Sequence, residues 1–135
     1  MKLLIDTHIL LWALLDDDRL PQKARELLTH TENDVYYSII SLWEIELKHL
    51  LHPTQMPINA QAIDAYAQKA GFQSFPLHDR HIFALSSLYR PDTAKPHKAP
   101  FDRLLICQAK CENMIFLTHD TLLADYNEPC VCLVW

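Results

Sequence analysis

A single glycine among 135 residues leaves no glycine-rich loop to cradle a phosphate and no fingerprint for a dinucleotide, so cofactors bound in those ways are excluded. Long apolar runs are missing too. No stretch reaches the roughly 18 residues that a spanning helix needs. The apolar stretch 9–15 lacks the basic approach and small-residue cleavage site of a secretory signal. A cytosolic protein with no membrane association is the expectation, and its four cysteines then read as reduced thiols. Basic charge is scarce: 12 lysines and arginines stand against 17 acidic residues, a formal charge of −5, which argues against a surface that coats nucleic acid. A nuclease stays open, because cations bound among carboxylates reverse the local field.

Half of the residues are hydrophobic, enough for one domain over 1–135 with a core that needs no disulfide or metal staple. Short apolar runs predict strands at 1–6, 35–38, 74–77, 115–118 and 131–134. Helical spacing predicts helices at 7–15, 22–30 with Pro21 at the first helical position, 39–51, 60–70 with Gly71 just past the end, 79–88 capped by Asp79, 101–112 started by Pro100, and a short piece at 122–126. The proline-rich stretch 90–100 reads as an exposed loop. Strands alternating with helices imply an α/β domain of three layers, α/β/α, around a mostly parallel sheet.

Within that frame Asp6, Glu44, Asp102 and Asp120 stand out. Asp6 and Asp120 fall just past the ends of predicted strands, where parallel sheets bind ligands. Each acid also has an ordinary reading. Asp6 and Asp120 suit helix caps, Glu44 stands three residues after Ser41 and four before Lys48 as in a capping box or a helical ion pair, and Asp102 suits the first turn of a helix. The stretch Ile40, Trp43, Leu47 around Glu44 offers few polar partners, and a buried unpaired carboxylate is costly. A divalent cation supplies the missing partner, and oxygen ligands favour Mg²⁺ or Mn²⁺ over zinc.

The segments LLIDTHILLW (3–12), SIISLWEIELK (38–48), PFDRLLICQAK (100–110) and FLTHDTLLADY (116–126) resemble, in this order and spacing, the PIN domain, and specifically the VapC-type toxins of toxin–antitoxin pairs. The resemblance implies a PIN-like fold and an endoribonuclease that cuts tRNA or rRNA. Asp6, Glu44, Asp102 and Asp120 fall on the family's acidic quartet, which holds Mg²⁺ or Mn²⁺. On this reading the first three bind a principal ion, while Asp120 binds a second ion or orients water. Thr7 and Thr118 match small hydroxyl positions beside the aspartates, Ser41 a similar place before the glutamate, and Arg103 a basic residue after the third aspartate. The resemblance also implies a small antitoxin whose tail enters the acidic pocket, and a homodimer. One departure stands at Ala99, where relatives often carry a further aspartate.

Arg90, Lys95, Lys98, Arg103 and Lys48 are the candidate phosphate contacts, with a solvated, purely connecting loop the equal alternative for those of the 90–100 stretch. Cys107 and Cys111 lie one helical turn apart and Cys130 and Cys132 share a strand and hence a face, but the spacing is not that of a zinc knuckle and buried thiols are the expectation. His8 and His119 adjoin the acids, and His8 is a substrate contact or a structural residue. Trp12, Trp43 and Trp135 read as core or interface aromatics. Two other functions remain open: a catalytically weak or inactive PIN-like module that binds RNA or protein, and an aspartyl phosphatase built on Asp6-Thr7. The phosphatase is disfavoured by His8 in the place of its second aspartate.

Overall fold

The computed structural model describes residues 1–94 and 99–135. Lys95 and Lys98, candidate phosphate contacts, lie outside the described residues. The elements run β1 (Lys2–Ile5), α1 (Thr7–Leu14), α2 (Gln22–Thr29), β2 (Asp34–Ser38), α3 (Ile39–Leu51), α4 (Ala60–Lys69), β3 (Gln73–Phe75), α5 (Asp79–Phe83) with a 3-10 turn at Ala84–Ser87, α6 (Pro100–Glu112), β4 (Ile115–Thr118), a 3-10 segment at Thr121–Tyr126, and β5 (Val131–Leu133).

The five strands form an all-parallel sheet in the order β3-β2-β1-β4-β5. β1 is central, with Leu3 between Val35 and Ile115, Leu4 between Tyr36 and Phe116, and Ile5 between Tyr37 and Leu117. Side chains alternate across a strand, so this register sorts the core into two layers. Leu3, Ile5, Val35, Tyr37 and Leu117 pack with Ile9 and Leu10 of α1, Ala24 of α2 and Ile63 of α4. Leu4 and Phe116 pack on the other face with Ile40, Leu105, Ile106 and Leu123. A strand buried on both faces reads as an unbroken apolar run, which is why Leu3-Leu4-Ile5 shows no polar alternation. No described helix is long and apolar enough to cross a membrane.

Several element edges differ from the sequence reading. Pro21 is the extended N-cap of α2 (φ −61°, ψ 145°) and not its first helical residue. His78, not Asp79, caps α5, where its N–H donates to His81 Nδ1 at 2.9 Å, and Asp79 sits in the first turn. The predicted helix 79–88 gives way to the 3-10 turn at Ala84. β3 ends at Phe75 because Pro76 has no N–H to give the ladder. Cys130 precedes β5, so the strand alternation does not apply to it. It packs beside Val131 in the second layer while Cys132 packs in the first, and the two thiols do not share a face. Gly71 follows α4 at φ +87°, the left-handed conformation expected of a residue past a helix end.

Candidate functional site

The strand order turns at β1: the chain proceeds from β1 to β2 on one side, and α6 later delivers β4 to the other. The crevice at the carboxyl ends of β1 and β4 is therefore the ligand position of an open parallel sheet. Asp6 follows β1 directly, and Asp120 stands just beyond β4. Asp6 caps α1, its Oδ1 accepting the Ile9 N–H at 2.8 Å, while its Oδ2 accepts the Thr118 hydroxyl at 2.5 Å. Asp120 caps the following 3-10 segment through the Leu122 N–H at 3.0 Å, and its own N–H donates to Thr118 Oγ1 at 3.1 Å. One fully buried hydroxyl thus spaces the two aspartates. Their capping role and their convergence at the strand ends hold together.

Glu44 enters from α3. Thr7 Oγ1 lies 2.7 Å from Glu44 Oε1 and 2.9 Å from Ser41 Oγ. A hydroxyl has one proton, so Thr7 donates to the carboxylate and receives from Ser41. The expected capping box at Ser41 is not formed: Ser38 caps α3 by accepting the Ile40 N–H at 2.9 Å, and Ser41 is buried as the support of Thr7. Among the described residues no ion pair joins Glu44 to Lys48, the other ordinary reading of this glutamate.

Asp102 comes from the first turn of α6. Burial, then the charges of Glu44, Asp6 and Asp120, push its carboxyl up to about 7. Burial likewise raises Asp6, opposed by the Thr118 and Ile9 hydrogen bonds. The charges of three acids from separate parts of the chain therefore converge on Asp102. The donor set is oxygen alone, which suits Mg²⁺ or Mn²⁺. Among the described residues no three His, Cys, Asp or Glu side chains stand close enough to cage an ion directly. Mg²⁺ keeps several waters and takes few carboxylates, so a spaced ring of acids fits it better than a tight cage would.

Asp6 and Asp120 line a cavity of about 200 Å³ together with His8, Trp12 and His119. A larger hollow of about 430 Å³ opens at the other end of β4, between Met114, Ile115 and Pro129, where Glu128 is paired with Lys110 at 2.9 Å. Of the two, the smaller cavity is the one that adjoins the acids. Lys48 lines a neighbouring recess of about 220 Å³ that shares His8 and Trp12. Arg103 is half-buried with its Nε buried and unpartnered, close enough to Tyr126 and Cys107 to act on their titration. Arg90 lies over the Tyr126 ring at 5.1 Å and pairs with Asp125 at 2.9 Å. Neither arginine lines the acidic cavity. All four cysteines are free; Cys107 is buried and its thiol is pushed up to about 11, chiefly by burial, whereas Cys111 is exposed.

Trp12 packs against the core as the sequence suggested, but it also lines the cavity, as does His119, for which the residue pattern offered no role. The usable signal was the four-residue helical spacing from His8 to Trp12, which puts both on one face beside Asp6. Ala99, the departure from the family pattern, is the N-cap of α6 and makes no side-chain cap bond. Ala99→Asp is expected to stabilise the fold by about 1 kcal/mol in saturating Mn²⁺, read as a shift in the denaturant midpoint. No shift would mean that repulsion from Asp102 cancels the cap.

No curated protein matches the chain in sequence. Solved structures of similar fold include VapBC2 from Rickettsia felis bound to a DNA fragment from their promoter, at 16% identity over 98% of this chain and 97% of that one, with a TM-score of 0.65. FitAB bound to IR36 DNA is similar at 20% identity over 97% and 92% of the two chains, TM-score 0.57. A domain of a functionally unknown protein from Methanocaldococcus jannaschii is similar at 14% identity over 99% and 91%, TM-score 0.58. At these identities the likeness is one of fold. The family model of the PIN domain, a family whose members are generally nucleases, matches residues 3–129, and the chain belongs to the PIN domain family.

Proposed function

We propose that this protein is an endoribonuclease dependent on Mg²⁺ or Mn²⁺, acting as a VapC-type toxin that a small antitoxin protein holds in check in the cytoplasm. The observation that carries the reading is the meeting of Asp6 and Asp120 around Thr118, with Glu44 tied in through Thr7, at the carboxyl ends of β1 and β4, where their charges reach Asp102. Carboxylates collected from distant parts of a chain into one crevice destabilise the fold unless a cation offsets them. Asp6, Glu44 and Asp102 would hold the principal ion, with Asp120 holding a second or aligning the attacking water. A divalent ion bound there lowers the pKa of a coordinated water and stabilises charge on the phosphate and the leaving oxygen.

The chain's own contribution is to orient these groups. Thr118 fixes Asp6 and Asp120 relative to each other, and the Ser41–Thr7 pair fixes Glu44. Lys48, exposed on the turn of α3 after Glu44, would meet a backbone phosphate, and Arg103 of α6, although outside the cavity lining, would add a second cation. Ile39, Trp43, Leu47, Leu50 and Leu51 expose an apolar stripe along α3, with Leu50 67% and Leu51 71% exposed. A contiguous apolar stripe of this kind supports a protein partner, here the antitoxin or a second copy of the chain. The likeness in fold to VapBC2 and FitAB supports the same reading.

The test is incubation of the purified protein, free of partner, with pooled tRNA and rRNA in Mg²⁺, Mn²⁺ or EDTA, followed by mapping of new RNA ends. Discrete ends that need the metal are the expected result. RNA binding without metal-dependent ends would replace the nuclease with a PIN-like binding module.

A further inference from the structure

The cavity beside Asp6 and Asp120 is walled by three rings. Trp12 meets His8 at 5.7 Å with planes tilted by 38°, and meets His119 at 5.8 Å edge-on at 70°. Trp12 and His119 are held before any ligand arrives. The Arg19 guanidinium lies over the Trp12 ring at 5.6 Å, and Asp17 holds that guanidinium through Nε at 3.1 Å and Nη2 at 2.7 Å. His119 Nδ1 lies 2.8 Å from the Val134 carbonyl, which only accepts, so Nδ1 donates there and the contact holds the ring in place. Val134 is itself tied back to β4, its N–H donating to the Thr118 carbonyl at 2.9 Å.

Trp12 is half-buried and packs on the first core layer while still lining the cavity, and His8 and His119 are exposed beside it. Part-exposed aromatic rings beside the proposed cleavage centre have the character of a seat for a nucleobase, whose π-face stacks on aromatic side chains whatever its sequence. Charge supports the same occupant. The Arg19 charge is offset by Asp17, whereas Lys48 lies in the adjoining recess past Trp12, where the phosphate of a neighbouring nucleotide would pass.

We propose that the notch formed by His8, Trp12 and His119 receives the base of the single-stranded nucleotide flanking the cleaved phosphate. Differences in stacking strength among the bases set which of them it holds best. The inference deepens the nuclease reading and rests on it for the identity of the ligand.

The test uses the full chain and the four ribonucleosides, which are uncharged and so need neither metal nor cleavage. Titration followed by NMR of the Trp12 indole and the His8 and His119 rings is expected to shift those signals in a saturable way, with different affinities among the four. His119→Ala, a change at an exposed position, is expected to weaken binding by about 5- to 10-fold. Unshifted rings up to the solubility limit, or equal binding by the His119→Ala variant, would overturn the proposal. Metal-dependent cleavage with no nucleoside binding removes this inference alone. Nucleoside binding without any cleavage removes the nuclease and leaves the base seat standing.

Discussion

Asp102→Asn is expected to lose RNA cleavage by a factor on the order of 10²–10³ or more and yet melt higher than the parent in EDTA at alkaline pH. The two effects share one cause. The Asp102 carboxyl is raised from 3.8 to about 7 in the folded chain, so between those values the native state binds more protons than the unfolded one. Stability from this group is fully present below the unfolded value and is lost as pH rises through the folded one. Ionised Asp102 then costs the metal-free fold an amount on the order of 2 kcal/mol, after discounting the nominal shift for solvent screening. Asparagine removes that cost, a gain of several degrees in melting temperature. The gap should narrow on acidification and be mostly gone near the unfolded pKa of 3.8. Saturating Mn²⁺ should stabilise the parent and not the variant, reversing their order. Melting curves across pH, with and without Mn²⁺, check this; a variant that melts lower in EDTA at alkaline pH would contradict it.

Thr118→Val is expected to be costly although it preserves shape and β-branching. The Thr118 hydroxyl is fully buried, donates to Asp6 and accepts from the Asp120 N–H. Valine leaves a buried carboxylate and a backbone donor short of partners together, a loss of about 2–4 kcal/mol. Asp6 is already raised by burial and loses the hydrogen bond that most opposes the rise, so its carboxyl should climb further. Metal affinity should fall about 10- to 100-fold through the loosened aspartates. Thr118→Ser keeps the hydroxyl and should recover most of the binding. Denaturant unfolding and Mn²⁺ titration of the two variants separate the polar loss from any packing change.

Much of this arrangement was legible in the residue order. Leu3-Leu4-Ile5 reads as a doubly buried strand because both its faces are covered, and the acid after it falls where parallel sheets open. Pattern along the chain could not show which hydroxyl serves which acid. Ser41 resembles a cap by spacing, but the backbone bends into α3 at Ser38, which frees Ser41 to support Thr7 across 34 residues. Trp12 was legible as an aromatic on a helix but not as a cavity wall. Its setting depends on His119, which only the pairing of β1 with β4 brings near. The arginine of α6 shows the same limit. One residue from Asp102 in sequence, Arg103 lies outside the cavity that Asp6 and Asp120 line, and its charge, like that of Asp102, reaches Tyr126.

Calorimetric titration of Mn²⁺ into the parent and into Asp6→Asn, Glu44→Gln, Asp102→Asn and Asp120→Asn tests most directly whether the four acids form one centre. The account predicts saturable binding by the parent, weakened at least about tenfold by Asp6→Asn, Glu44→Gln and Asp102→Asn and reduced in affinity or stoichiometry by Asp120→Asn. Binding that is absent in the folded parent, or that survives Glu44→Gln and Asp102→Asn unchanged, would contradict it.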